Sequence, residues 1–295
     1  MSEPSSVKEL LELGERVLDD STAIFSDHDN QDAARQLLAA SLSTTEDEVD
    51  ELGPTHVPTR RQRERYLSFV ARRAAGEPLP FLTGRIEFYG LDLQVKPGSF
   101  VPRPSSELTV DRAVKRLKRK SDPIVIDVCA GAAPIALAIA DEVPHARVWG
   151  TDIDAAAIRH GRANARRLDI TNVKLVAGDL YDALPRRIKG HVDVITAHVP
   201  YVPTHELDDL PAEVKDYEPL YTLTDLSDDG LYLMRAVTNE AVDWLAPGGW
   251  LLLEMSDDMT NKAKRLCAKA GFEEMVVADD EDDLSVVVEA RKPRR

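Results

Sequence analysis

Three carboxylates and one imidazole stand at the ends of apolar runs, where a sheet would present them together. Asp127 falls in "IVIDV", Asp152 in "ARVWGTD", and Asp179 follows "VKLVAG". Behind Asp127 comes "CAGAAP", a small-residue turn around Gly131 that runs into a helical pattern. Small residues let a backbone approach a ligand closely, and the start of a helix presents N–H groups without intrahelical partners. Asp152 lies 21 residues beyond Gly131, where a carboxylate can accept both hydroxyls of a ribose. Asp179, at the next strand end, can accept from an adenine amino group. The run "DVITA" leads into His198-Val199-Pro200-Tyr201, a stiffened backbone that carries a phenol and an imidazole. A neutral imidazole offers one acceptor nitrogen and can also take a proton.

Two blander readings compete. Asp127 and Asp152 could simply cap neighbouring helices, and a dinucleotide-binding domain follows a similar plan. The turn carries one glycine, Gly131, and lacks the three of G-x-G-x-x-G that give a pyrophosphate close backbone access. The pattern therefore suits a nucleoside without phosphate.

These residues need a frame. From residue 104 onward, continuously apolar runs alternate with helical patterns, through "PIVIDVCA", "ARVWGTDID", "VKLVAGDL", "VDVITAHVP" and "GGWLLLEM". Strands apolar throughout and separated by helices predict an α/β domain with a parallel sheet covered on both faces. Two β-branched runs around "ADDEDD" predict an antiparallel hairpin closing that sheet, with the acidic run at 279–283 as its solvated turn. The first 75 residues read as helices, with capping boxes at Thr45-x-x-Glu48 and Thr59-x-x-Gln62. In between, "IEFYGLDLQV" alternates with period two around a turn and predicts a β-hairpin. The expected organisation is a small helical domain over 1–85, a hairpin linker over 86–103 and a cofactor-binding domain over 104–295.

Composition narrows the function. With 295 residues the chain can bury a sizeable core, and its net charge of −15 disfavours general binding to phosphate backbones. The basic stretches "RLKRK" at 116–120 and "RKPRR" at the end read as a solvated helix end and a terminus. No apolar run reaches the ~18 residues a membrane span needs, and the first residues lack a secretory pattern. Two cysteines, Cys129 and Cys267, sit in apolar surroundings, which fits a reducing cytoplasm and speaks against a disulfide framework or a metal site. The expected setting is cytoplasmic, with neither membrane nor nucleic acid as partner.

Taken in order, "FLTGRIEFYGLDLQV", "VPRPSSEL", "IDVCAGAAPIALAIA", "RANA", "GDLYDAL", "YEP", "DGL" and "PGGWLLLE" resemble the HemK/PrmC family of S-adenosylmethionine-dependent protein-(glutamine-N5) methyltransferases, across nearly the whole chain. The resemblance implies a Rossmann-like class I methyltransferase domain with a seven-stranded sheet, a helical N-terminal domain that recognises the substrate, and a hairpin between them. It implies S-adenosyl-L-methionine as cofactor, with Asp127, Gly131, Asp152 and Asp179 about it, Phe100 packed over it and Arg103 on its side or toward the linker. It implies an acceptor pocket at His198, Val199, Pro200 and Tyr201, with Glu218 at its mouth and His198, Pro200 and Tyr201 as the catalytic set. A release factor-like protein is the implied partner.

The departures bear on the chemistry. A later glycine of the family's cofactor turn is Ala133 here, its "PRPETE" reads "PRPSSE", and its Asn-Pro-Pro-Tyr signature aligns with His198-Val199-Pro200-Tyr201. In the family, the Asn side chain and a backbone carbonyl accept the two N–H bonds of the glutamine amide. His198 could accept one such bond in a changed geometry. It could instead bind or deprotonate another nitrogen, that of a small-molecule amine, guanidine or amino acid. Or it could mark a protein that keeps the fold and has lost catalysis. A nucleic-acid adenine methyltransferase, which uses a related signature, fits the charge least.

Overall fold

In the computed structural model, residues 4–24, 29–279 and 285–294 are described, and the chain divides into two units. The first comprises the residues up to Ile86 together with Val95–Gly98 and Asp208–Glu218. Its helices are α1 (Val7–Asp19), α2 (Asn30–Leu42), α3 (Glu46–Leu52), α4 (Arg60–Ala74) and α5 (Leu79–Thr83). Both expected capping boxes form, at Thr45 with Glu48 and at Thr59 with Gln62. A third, Ser6 with Glu9, starts α1. Leu10, Leu37, Leu38 and Tyr66 are fully buried where these helices meet, each large aliphatic side chain contributing about 2 kcal/mol. The Tyr66 hydroxyl donates to the Leu10 carbonyl at 3.1 Å.

The hairpin follows as β1 (Arg85–Phe88) and β2 (Leu91–Gln94), joined by Tyr89 and Gly90, both at positive φ. Paired left-handed residues match the twist of a two-residue hairpin turn.

The second unit alternates as the sequence predicts: α6 (Glu107–Leu117), β3 (Ile124–Val128), α7 (Pro134–Glu142), β4 (Arg147–Asp152), α8 (Ala155–Arg167), β5 (Val173–Ala177) and β6 (Val192–Ala197). A short helix, α9 (Ala212–Lys215), lies in the stretch that belongs to the first unit. Then come α10 (Tyr232–Trp244), β7 (Leu245–Ser256), α11 (Thr260–Ala270), β8 (Glu274–Asp279) and β9 (Ser285–Arg291). The seven strands are ordered β5-β4-β3-β6-β7-β9-β8. Pairings from β5 to β7 are parallel, while β9 runs antiparallel to both β7 and β8. The terminal hairpin is therefore present; the acidic run named for its turn, apart from Asp279, lies outside the described residues. Every residue of β3 is buried, as a central strand covered on both faces requires.

Strand order reverses between β3 and β6, because α7 carries the chain to one side of β3 and β6 returns on the other. In open α/β sheets this reversal opens a crevice beyond the carboxyl ends of the two strands. Asp127 sits in β3, and His198 directly follows β6.

Candidate active site

A cleft of roughly 1050 Å³, counted out to its open mouth, occupies that crevice. Asp127, Gly131, Asp152, Asp179, Phe100, Arg103, His198 and Pro200 all line it. Eight residues spread over 100 positions are thus gathered at one place, all within the second unit.

Asp127 is the deepest group. It is 1 % exposed, and its Oδ1 accepts from the Thr196 hydroxyl at 2.8 Å. Its Oδ2 is buried and has no hydrogen-bond partner among the described residues. Burial raises its pKa to about 7, against the opposing pull of the Thr196 hydroxyl and the Ala136 N–H, with Asp152 and Glu254 adding repulsion. A buried carboxylate with a spare oxygen is a receptor for a cation or a strong donor.

The turn after β3 is conformationally forced. Cys129, Gly131 and Ala133 all have positive φ, at 58°, 57° and 65°. Only glycine visits that region freely, and for the other two it costs about 1–2 kcal/mol each. The result aims the Gly131 N–H at Asp152, whose Oδ2 accepts it at 2.7 Å. The other oxygen, Oδ1, accepts the Asp154 N–H at 2.7 Å. Asp152 therefore caps no helix; that task falls to Asp154, which accepts from Ala156 N–H at the start of α8. Burial raises the pKa of Asp152, and these two N–H groups oppose the rise. Each oxygen accepts one N–H here and has a second lone pair to offer. The Cys129 thiol also lines the cleft, and burial followed by repulsion from Asp152, Asp127 and Asp179 pushes it up, so it offers no thiolate nucleophile.

The strand end divides by alternation. Successive side chains of an extended chain face opposite ways. Val199 is 2 % exposed and packs into the main core with Ala197, while His198 and Pro200 face the cleft. The structure thus does not bring Val199 to the pocket, and the reason is its register. The Tyr201 ring stacks on His198 with centroids 5.8 Å apart, and Phe100 meets His198 edge-on at 5.6 Å. The Arg103 guanidinium lies over Phe100 at 4.6 Å. Glu218 is buried at the end of the stretch that belongs to the first unit and is absent from the cleft lining. The Tyr201 carbonyl explains "DGL": a Cβ on Gly230, whose φ is +63°, would lie 1.9 Å from that oxygen. Only glycine lets the loop close on the signature.

Several contributors escaped sequence reading. Glu254, in the apolar run of β7, is 1 % exposed; it accepts hydroxyl bonds from Ser106 at 2.7 Å and Thr109 at 2.8 Å, and its Oε1 lies 3.2 Å from His198 Nδ1. A carboxylate inside "WLLLEM" is a signal in itself, since a charge seldom enters a core strand without a task or a partner. Thr196, Ile153 and Tyr221 carry no such mark. Ile153 lines the cleft although 70 % exposed, and the half-exposed Tyr221 donates to Asp154 Oδ2 at 2.9 Å.

The fold and the cleft define a methyltransferase of the doubly wound kind. Residues 119–284 match the family model described as a methyltransferase domain. The chain superposes on a T. thermophilus 16S rRNA methyltransferase solved with AdoMet and guanosine at a TM-score of 0.52, with 18% identity over 70% of this chain and 49% of that one. Sequence places it more narrowly. It is 37% identical to the release factor glutamine methyltransferase of Burkholderia pseudomallei over 71% of this chain and 74% of that protein. It is 35% identical to the protein of the same name from Streptomyces coelicolor, over 76% and 83%. A 4-amino-L-phenylalanine/4-methylamino-L-phenylalanine methyltransferase of Streptomyces pristinaespiralis is 37% identical over 64% and 65%. The chain belongs to the release factor glutamine methyltransferase family, and its cofactor is S-adenosyl-L-methionine. The residues would fit that cofactor: a buried Asp127 oxygen without a hydrogen-bond partner suits a ligand that carries cationic groups, and the Asp152 carboxylate on the same cleft suits its ribose diol. Among the described residues no helix is long and apolar enough to cross a membrane.

Proposed function

We propose that this chain transfers a methyl group to a nitrogen seated at His198 and Pro200, with S-adenosylmethionine held by Asp127, Gly131, Asp152 and Asp179. The cofactor supplies a methyl group on a sulfonium, which departs to leave a neutral thioether. Asp127 receives the cationic end, Asp152 the ribose hydroxyls and Asp179 the adenine edge. Phe100 and Arg103 cover the cofactor beside His198. Catalysis is then mainly placement, because in-line displacement needs the lone pair directed at the methyl carbon. Pro200 stiffens the strand end, and the Tyr201 ring steadies the imidazole. The helical unit selects the acceptor.

The observation that carries this reading is that the cation-seeking Asp127 and the proton-accepting His198 line one cleft. A fold kept only for binding would not require both. Two acceptors come into view from the relatives' names: the glutamine of a release factor, and an arylamine. His198 in place of the family's Asn favours the second. Calorimetry with S-adenosylmethionine and incubation with labelled cofactor test the reading. The expected result is saturable binding and label in either a release factor or an amine; a protein that binds no cofactor would overturn it.

A further inference from the structure

His198 is not a bare ring at the edge of the cleft. Its Nδ1 lies 3.2 Å from Glu254 Oε1 and 3.4 Å from the Ser106 hydroxyl. Glu254 already accepts a hydroxyl proton on each oxygen, from Ser106 at 2.7 Å and from Thr109 at 2.8 Å. An ionised Glu254 can only accept, so the 3.2 Å contact favours a hydrogen on the nitrogen turned toward it. The tautomer of a histidine follows from the bond its other nitrogen makes. With Nδ1–H donated to Glu254, Nε2 keeps its lone pair. Two hydroxyls at the start of α6 and a carboxylate buried in β7 thus converge on one imidazole, which lines the cleft beside Pro200.

Resting on the nitrogen-transfer reading above, we propose that Glu254 is a positioning residue that readies His198 Nε2 as a proton acceptor, and that the methyl acceptor is an amine and not an amide. An amide lone pair is delocalised, and localising it requires acceptors for both N–H bonds. His198 has one acceptor nitrogen to give, because the other is committed to Glu254. An amine has a localised pair and needs only one partner, provided that partner takes its proton. The acceptor nitrogen forms the new N–C bond with its lone pair as the C–S bond breaks, and the bonding electrons stay on sulfur. The proton shed by nitrogen passes to Nε2, and the imidazolium so formed faces the Glu254 carboxylate before the proton leaves to solvent. Among the charged groups that bear on this pair are Asp127, which feels the Glu254 charge, and Arg103 across the Phe100 ring.

Two measurements on the full chain decide the proposal. Proton–nitrogen correlation spectra of protein labelled with ¹⁵N-histidine read the tautomer without cofactor; His198 is expected as Nδ1–H, and an Nε2–H resonance in the wild type would overturn the assignment. Methyl transfer from labelled S-adenosylmethionine is then compared between aniline, benzylamine and N-acetylglutamine amide. The expected result is at least a tenfold higher kcat/KM for one of the amines, and preference for the amide sinks the substrate class. Glu254→Gln, which can turn an N–H toward Nδ1, should lower kcat about 10- to 100-fold on the better amine, a range set by losing orientation of a catalytic histidine. Cofactor affinity should stay within twofold, and unchanged kcat in that variant would remove Glu254 from the mechanism. Loss of cofactor binding in the wild type would instead strike the nitrogen-transfer reading, leaving the tautomer result intact.

Discussion

At the scale of single residues, the role proposed for Asp127 predicts that cofactor binding depends on pH. Burial raises its folded-state pKa to about 7, whereas an exposed Asp titrates near 4. The folded protein therefore holds a proton that the unfolded chain has lost between those values. This contribution to stability is fully present below the unfolded value and is lost as pH rises through about 7. Cofactor binding has the opposite sign, since the cationic ligand prefers the ionised carboxylate. Affinity for S-adenosylmethionine measured by calorimetry should be about tenfold weaker at pH 6 than at pH 8, with proton release on binding near neutrality. Asp127→Asn should flatten this dependence and weaken binding about 10- to 100-fold, the worth of one buried charge-assisted bond. Gly230→Ala makes a separate case. The new methyl would meet the Tyr201 carbonyl in a backbone conformation unfavourable to alanine, so labelled-methyl transfer should collapse while cofactor binding persists. Asp127, Asp152 and Asp179 were legible because each stands at or near the end of an apolar run, whereas Glu254 lies within one. The neighbours Thr196, Ser106 and Thr109 were not, because a hydroxyl in a sequence says nothing about which distant carboxylate it will find.

At the scale of elements, periodicity and capping carry most of what can be read. The alternation from residue 104 predicted the strands and their order of appearance, and three helices of the first unit begin at boxes whose residues are visible in the chain. Ser6-x-x-Glu9, which starts α1, follows the same rule as the other two. Thr59→Ala tests the rule at α4, where Thr59 accepts the Gln62 N–H and Gln62 returns the bond. It should cost about 1 kcal/mol in urea unfolding without altering cofactor affinity. The basic stretch at 116–120 corrects a simpler view. Arg116 ends α6 stacked on Trp250 at 3.4 Å and paired with Glu289 at 2.6 Å, so it is not merely solvated. Long-range pairing of this kind, 173 residues apart in sequence, leaves no local trace.

At the scale of the whole molecule, the chain crosses between its units more often than a reading in consecutive domains allows. Asp208–Glu218 begins ten residues after His198 but clusters with the helices of the first unit. Nothing in "DDLPAEVKDYE" announces this, because the partner that holds it is a side chain far upstream. Arg73, fully buried in α4, donates to Glu213 of α9 at 2.8 Å and to the Glu77 carbonyl at 3.0 Å. Removing one partner of a buried ion pair strands the other charge in a low-dielectric place, at a cost of about 3–5 kcal/mol. Glu213→Ala should therefore destabilise the first unit by about that amount and loosen Asp208–Glu218. Hydrogen exchange is the measurement of choice, since it reports each region separately: protection should fall in α4, α9 and the stretch around them and hold in β3, β4 and β6. The cofactor cleft is built wholly from the second unit, so S-adenosylmethionine should bind this variant as it binds the wild type while turnover of the native acceptor falls. Equal loss of binding and turnover would mean that the helical unit supports the cofactor itself and does not act by selecting the acceptor.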